Sequence, residues 1–139
     1  MVPRSLLTPE QFARAVIGVP FETFGRSYDG LDCWGLIWLA YRDVAGVDLP
    51  SGLGGYGSDK ARQEIEALFE QRHGAWQRHD APEVMDVALM RVCGALCHVG
   101  LIVGKRQMLH TLRGSGTCVE DYGGLRWARR IEGFYRHVG

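Results

Sequence analysis

The sequence predicts an α+β domain in which helices come first and an antiparallel sheet follows. Three observations lead there. Residues 33–44 read as a helix that is apolar on nearly every face, and such a helix belongs in a domain interior. Beyond Trp76 the texture changes to short runs rich in Val, Leu, Ile and Met, broken by glycine turns. Helical patterns then strand patterns, without alternation, suit α+β better than a wound parallel sheet. With 139 residues, the chain is expected to be one domain over 1–139 with a real core.

The elements follow in order. Thr8, Pro9 and Gln11 have the types and spacing of a helix start with a capping box, and Leu7 and Phe12 those of a hydrophobic staple. This first helix is expected to end near Ile17, at Gly18. Residues 18–30 are a loop punctuated by glycine and proline. Asp32 is a good N-cap for the central helix, and Gly46 is placed to end it in a left-handed turn. Residues 51–58 form a glycine-rich loop, and an amphipathic helix follows with Ala61, Ile65, Leu68 and Phe69 inward and Gly74 after it. Strands are expected at 84–92, 98–103, 107–111 and 117–120, and a last one over 130–137 closes the sheet.

Composition removes several function classes. Sixteen basic and sixteen acidic side chains cancel, so no electrostatic footprint for nucleic acid or an anionic membrane is present. No apolar run reaches the length of a membrane span. Residues 1–5 carry one Arg and no long apolar core, so a secretory signal is not expected. Of the four cysteines, Cys93 and Cys97 are one residue further apart than a zinc-knuckle pair. Reduced thiols of a chain folded in a cytosol, and no metal or cofactor, are expected; a metal site is the alternative, and a sulfur cluster or disulfide a further one.

Cys33 falls in the first turn of the buried helix, where the dipole and unpaired N–H groups favour the thiolate. It reads either as a nucleophile or as a packed structural thiol. A nucleophile needs a base and a group that orients the base. His73, His79 and His137 look like solvated surface residues, whereas His98 and His110 each border an apolar strand. A three-residue turn at 104–106 puts those two histidines on one face as diagonal neighbours, and a two-residue turn puts them on opposite faces. Two half-buried histidines bonded to backbone carbonyls are the structural alternative.

Gly18-Val19-Pro20-Phe21, Asp32-Cys33-Trp34-Gly35-Leu36, Gly46-Val47-Asp48-Leu49-Pro50, His98-Val99-Gly100 and His110 stand in a recognisable order and spacing. In them the chain resembles the NlpC-type cell-wall cysteine peptidases, a papain-like group. The resemblance runs along residues 12–120. Trp34 and the closing Gly133-Phe134-Tyr135-Arg136-His137 resemble the branch found in phage tail tips. The resemblance implies a papain-like fold with the nucleophile at a buried helix N-terminus, packed on an antiparallel sheet. It implies Cys33 as nucleophile, His98 as general base and His110 as the group orienting it. Asp32, Trp34, Phe21 and Tyr28 would line the site, and no metal is needed. The implied function is a thiol peptidase cutting peptide stems of peptidoglycan during phage genome entry. The chain would be made in the host cytoplasm, carried with other tail-tip or hub proteins, and would act at the cell wall. The alternative is a structural tail-tip subunit with a plugged site, with residues 53–56 and 122–127 as partner contacts; acyl transfer to an acceptor other than water is a third reading.

Two departures from the family pattern bear on chemistry. Phe21 stands where the family has a tyrosine beside the oxyanion, and a lost oxyanion donor costs about a hundredfold in rate. Tyr28 is close enough in sequence to substitute. Glu83-Val84-Met85-Asp86 replaces the usual Pro-Gly-Asp, and residues 92–97 are unusually apolar, so a cleft that is narrowed or occupied by a partner chain is expected.

Overall fold

A computed structural model describes residues 5–50, 75–92 and 95–138. The expected glycine-rich loop and helix over 51–74, His73 and Cys93 lie outside the described residues, as does the Cys97 side chain. Helix α1, Pro9–Val16, begins as its sequence dictates. The Thr8 hydroxyl accepts from the Gln11 N–H, and the Gln11 side chain accepts from the Thr8 N–H. Gly18 follows at φ +89°, a turn conformation that a side chain would strain. The loop beyond it holds an unforeseen two-stranded ribbon, β1 (Arg26–Ser27) and β2 (Gly30–Leu31).

Helix α2, Cys33–Ala40, is the centre of the molecule, and all of it except Trp38 is buried. Its predicted continuation to Val44 is real but wider. Tyr41–Ala45 forms a π turn, closed by Gly46 in the left-handed conformation. The N–H groups of Gly46 and Val47 both return to the Tyr41 carbonyl, which stops the helix. The Tyr41 hydroxyl donates to the Met85 carbonyl at 2.5 Å and pins this turn to the sheet.

The sheet is antiparallel, ordered β3 (Trp76–His79), β8 (Ile131–His137), β4 (Val87–Val92), β5 (Ala95–Gly104), β6 (Gln107–Leu112) and β7 (Gly116–Asp121). The last strand therefore does not close an edge but lies inside, between β3 and β4. Alternation along the strands divides the core between the two faces. Val87, Leu89, Val99, Leu101 and Leu109 share one cluster with Phe12, Val16, Leu36, Ile37 and Leu39 of the helices. Ala88, Met90, Ile102, Met108 and Trp127 form a second cluster. Each fully buried apolar side chain contributes about 1.5–3 kcal/mol, so α2 is fixed on the sheet chiefly by this packing.

Two turns explain the departures before and within the sheet. Met85 adopts φ +78°, the left-handed conformation for which glycine is suited. Asp86 next to it is buried and takes two bonds from Arg136, at 2.9 and 2.8 Å, and one from the Glu83 N–H at 2.8 Å. Between β5 and β6 the turn is Lys105-Arg106, two residues, with Gly104 paired to Gln107. A register shift at Val103 restores the pairing of Ile102 with Met108 and Leu101 with Leu109. That bulge gives the register the sequence associates with a three-residue turn, and His98 and His110 share a face.

Candidate active site

Cys33 is the first residue of α2 and is buried. Its helix packs across β5 and β6, the strands that carry His98 and His110. Asp32 caps that helix by accepting from the Gly35 N–H at 2.7 Å. The same buried carboxylate accepts from the Phe24 N–H at 2.9 Å and from Arg26 Nη1 at 2.7 Å. The segment entering α2 is thus tied to its first turn by one side chain. Gly35 is required for that closeness, because a Cβ there would stand 1.9 Å from the Gly25 carbonyl oxygen.

The two histidines meet. His98 Nε2 lies 2.9 Å from His110 Nδ1, and both rings are fully buried. Burial holds the His98 imidazole well below its ordinary pKa, and the neighbouring His110 and Arg126 push the same way. Burial also lowers His110, against the opposing pull of Glu120. Both rings are therefore neutral at pH 7, the form in which imidazole accepts a proton.

Beyond His110 lies a group that the sequence analysis missed. Glu120 on β7 sits 2.5 Å from His110 Nε2, and its carboxylate also accepts from Trp127 Nε1 at 2.9 Å and Arg126 Nη1 at 3.0 Å. Burial raises its carboxyl pKa, but the bonds from His110 and Trp127 and the nearby positive charge outweigh it and hold it below the ordinary value. A carboxylate two residues past a strand Cys gives no signal until the β6–β7 register, His110 opposite Cys118, is known. Trp127, expected on an exposed partner loop, is instead buried against the histidines. In the same loop Leu125 is the fully exposed residue.

The other expected site residues have definite places. Trp34 is buried and donates its indole N–H to the Pro50 carbonyl at 2.7 Å, tying α2 to the exit from its own turn. Phe21 bridges to Leu31 beside the Asp32 cap, with the Arg113 guanidinium 5.1 Å from its ring centroid. Tyr28 is committed elsewhere, its hydroxyl donating to Asp43 at 2.6 Å and its ring packing on Phe12. It does not supply the hydroxyl that Phe21 lacks. His137 corrects another expectation: it is a half-buried ring packed against Trp76 and Tyr41 at 5.0 and 5.6 Å, not a solvated residue. Among the described residues one group could hold a metal ion, His110, Cys118 and Glu120, whose ligand atoms lie within 4.8 Å of one another. That donor set does not favour a cation, since His110 and Glu120 bond each other and the Arg126 guanidinium already stands on the same carboxylate.

Comparison with known proteins agrees with this fold. Over 114 residues the chain is 25% identical to the murein DD-endopeptidase MepS/murein LD-carboxypeptidase of Escherichia coli K12, covering 81% of this chain and 53% of that protein. The chain thus spans about half the length of the curated relatives it matches. Among solved structures, an NlpC/P60 family protein from Bacillus cereus superposes with TM-score 0.68 at 17% identity, over 98% of this chain and 42% of that one. The NlpC/p60 domain of the peptidoglycan hydrolase SagA gives 0.63 at 18% identity, over 93% and 96%. The family model for NlpC/P60 matches residues 18–136, and the chain belongs to the NlpC/P60 family.

Proposed function

We propose that the chain is a thiol peptidase that cleaves peptide stems of bacterial peptidoglycan, with Cys33 as nucleophile, His98 as general base and His110 orienting it. The observation that carries the reading is the neutral, buried His98–His110 pair on two strands that contact the helix opening with Cys33. In this chemistry the thiol proton of Cys33 passes to His98. The thiolate attacks the stem amide carbonyl, and the oxyanion is held by N–H groups at the start of α2. Collapse breaks the C–N bond, and His98 returns its proton to the leaving amine. Water then attacks the thioester with His98 again as base, which frees the acid and the thiol. The MepS relative, named as a murein endopeptidase, supports this substrate class.

The test is alkylation of the four cysteines by iodoacetamide across pH, read by peptide mass spectrometry, beside stem-peptide release from purified peptidoglycan. Cys33 is expected to react fastest, and well below the ordinary thiol pKa of about 8.5. Cys33→Ala and His98→Ala are expected to abolish release while remaining folded. Release at the wild-type rate by both variants would overturn the assignment.

The finer setting we propose is a phage tail tip acting at the host cell wall during genome entry. It is supported by the resemblance of Trp34 and of residues 133–137 to the tail-tip branch. The chain is expected in purified virions, with Cys33→Ala particles assembling normally but infecting poorly. Full infectivity of those particles would favour a structural subunit instead. Absence from virions would remove the setting and leave the peptidase reading standing.

A further inference from the structure

Hydrogen-bond donors and acceptors around Glu120 determine where the protons of both histidines lie. Arg126 Nη1 and Trp127 Nε1 are donors only, and an ionised carboxylate is an acceptor only. At 2.5 Å from that carboxylate, His110 Nε2 must carry a proton and donate it. A neutral imidazole has one N–H, so His110 Nδ1 is a bare acceptor. It lies 2.9 Å from His98 Nε2, which must therefore donate. The proton of His98 is then spent on Nε2, and its Nδ1 is the basic nitrogen.

We propose that Glu120 is a positioning residue of this site, acting through His110 to lock both imidazoles as Nε2–H tautomers and to keep the basic Nδ1 of His98 for the nucleophile. The inference rests on the reading of Cys33 and His98 as nucleophile and base. Three donors on one carboxylate hold it in a single orientation, which a packing role alone would not require. Glu120 has a second effect when His98 takes the thiol proton. The new imidazolium then lies at the end of a hydrogen-bonded chain that finishes in a fixed negative charge. No proton need reach the carboxylate; its charge favours the cation through His110. Trp127 keeps the chain dry, its ring nearly parallel to His98 and edge-on to His110. Low local dielectric strengthens each link.

The experiment uses the full chain, labelled with 15N-histidine, as wild type, Glu120→Ala and Glu120→Gln. Ring-nitrogen NMR at neutral pH reads the tautomers, and iodoacetamide alkylation reads Cys33. In wild type, His98 and His110 are expected to show protonated Nε2 and bare Nδ1. Glu120→Ala is expected to mix the tautomers of His110 and then His98, and to slow Cys33 alkylation and stem cleavage about tenfold or more through kcat, with KM little changed. Glu120→Gln keeps an oxygen for His110 and Trp127, so its tautomers should hold while the lost charge slows Cys33 several-fold, roughly two to ten. An Nδ1 proton on either ring in wild type overturns the proposal. So does a Glu120→Ala chain with unchanged tautomers and alkylation. Should Glu120→Ala fail to fold, the wild-type spectrum and the Glu120→Gln rate decide, an unchanged rate overturning it. A Cys33 no more reactive than Cys118 in wild type sinks the peptidase reading instead, and the tautomer spectra still report on Glu120.

Discussion

The ring of Trp127 lies over His98, their centroids 5.7 Å apart and their planes 24° from parallel. On the indole the guanidinium groups of Arg126 and Arg130 stand 5.0 and 5.6 Å from the ring centroid. Trp127 is thus packed between cations and the imidazole pair, and its N–H is bonded to Glu120. Stack, cation contact and hydrogen bond are separable by substitution.

Trp127→Phe keeps an aromatic cover but removes the N–H, so it should cost about 1 kcal/mol of stability, the net value of one hydrogen bond. Trp127→Ala opens a cavity and should cost about 3–5 kcal/mol. Water reaching the histidines relieves the burial that depresses them, so the His98 pKa should rise in Trp127→Ala. Urea denaturation and NMR titration of the His98 ring check both. Equal losses for the two variants would show that the ring contributes nothing beyond its N–H.

Acid should weaken the fold before carboxylates titrate. His98 and His110 are held below the unfolded value of about 6.5, so the unfolded chain binds more protons as pH falls past it. Their stabilisation is complete above that pH and is lost as pH drops toward their folded values. Each adds a slope of up to about 1.4 kcal/mol per pH unit. Unfolding free energy measured from pH 7 to 5 should therefore fall steeply, and His98→Asn should flatten the slope by about one proton. A flat profile in wild type would contradict neutral buried rings.

How much of this was legible from residues alone depends on range. Thr8, Asp32 and Gly46 announce their caps because capping is decided within four residues of chain. The α+β order and the central place of α2 follow from local periodicity. Facing of His98 and His110 hung on one turn, and there the local rule was insufficient: a two-residue turn plus a bulge at Val103 gives the geometry of a longer one. Glu120 and Trp127 were illegible because their roles arise from sheet register and from a loop folding back, neither of which a one-dimensional pattern encodes. Strand β3, reading Trp-Gln-Arg-His, is too polar to declare itself and exists because β8 offers it an edge.

Gly35 lies inside α2, where helix propensity favours alanine by about 1 kcal/mol. Sterics reverse the sign. A Cβ at Gly35 would meet the Gly25 carbonyl oxygen at 1.9 Å and Arg26 Nη1 at 2.8 Å, so backbone must move and the Asp32 cap must open. Gly35→Ala should destabilise by about 3 kcal/mol or more, within the range of severe overpacking. At Gly100 the nearest atoms to a Cβ belong to the flexible Met108 side chain, at 2.6 and 2.7 Å, so Gly100→Ala should cost less. Thermal denaturation of the two variants settles the order.

Tyr28 offers the cleanest separation of stability from chemistry. Its hydroxyl is bonded to Asp43 at 2.6 Å, and burial together with that carboxylate raises its pKa, so it remains protonated and donating. Tyr28→Phe should therefore cost about 1 kcal/mol by leaving the Asp43 oxygen one donor short. It should leave Cys33 alkylation and stem cleavage at wild-type rates, since the hydroxyl serves the turn after α2 and not the start of it. A loss of about a hundredfold in cleavage, the cost of one oxyanion donor, would mean that Tyr28 swings to the site when substrate binds. Phe21→Tyr in that background would then be expected to restore the rate, because it returns a hydroxyl to the segment beside the Asp32 cap.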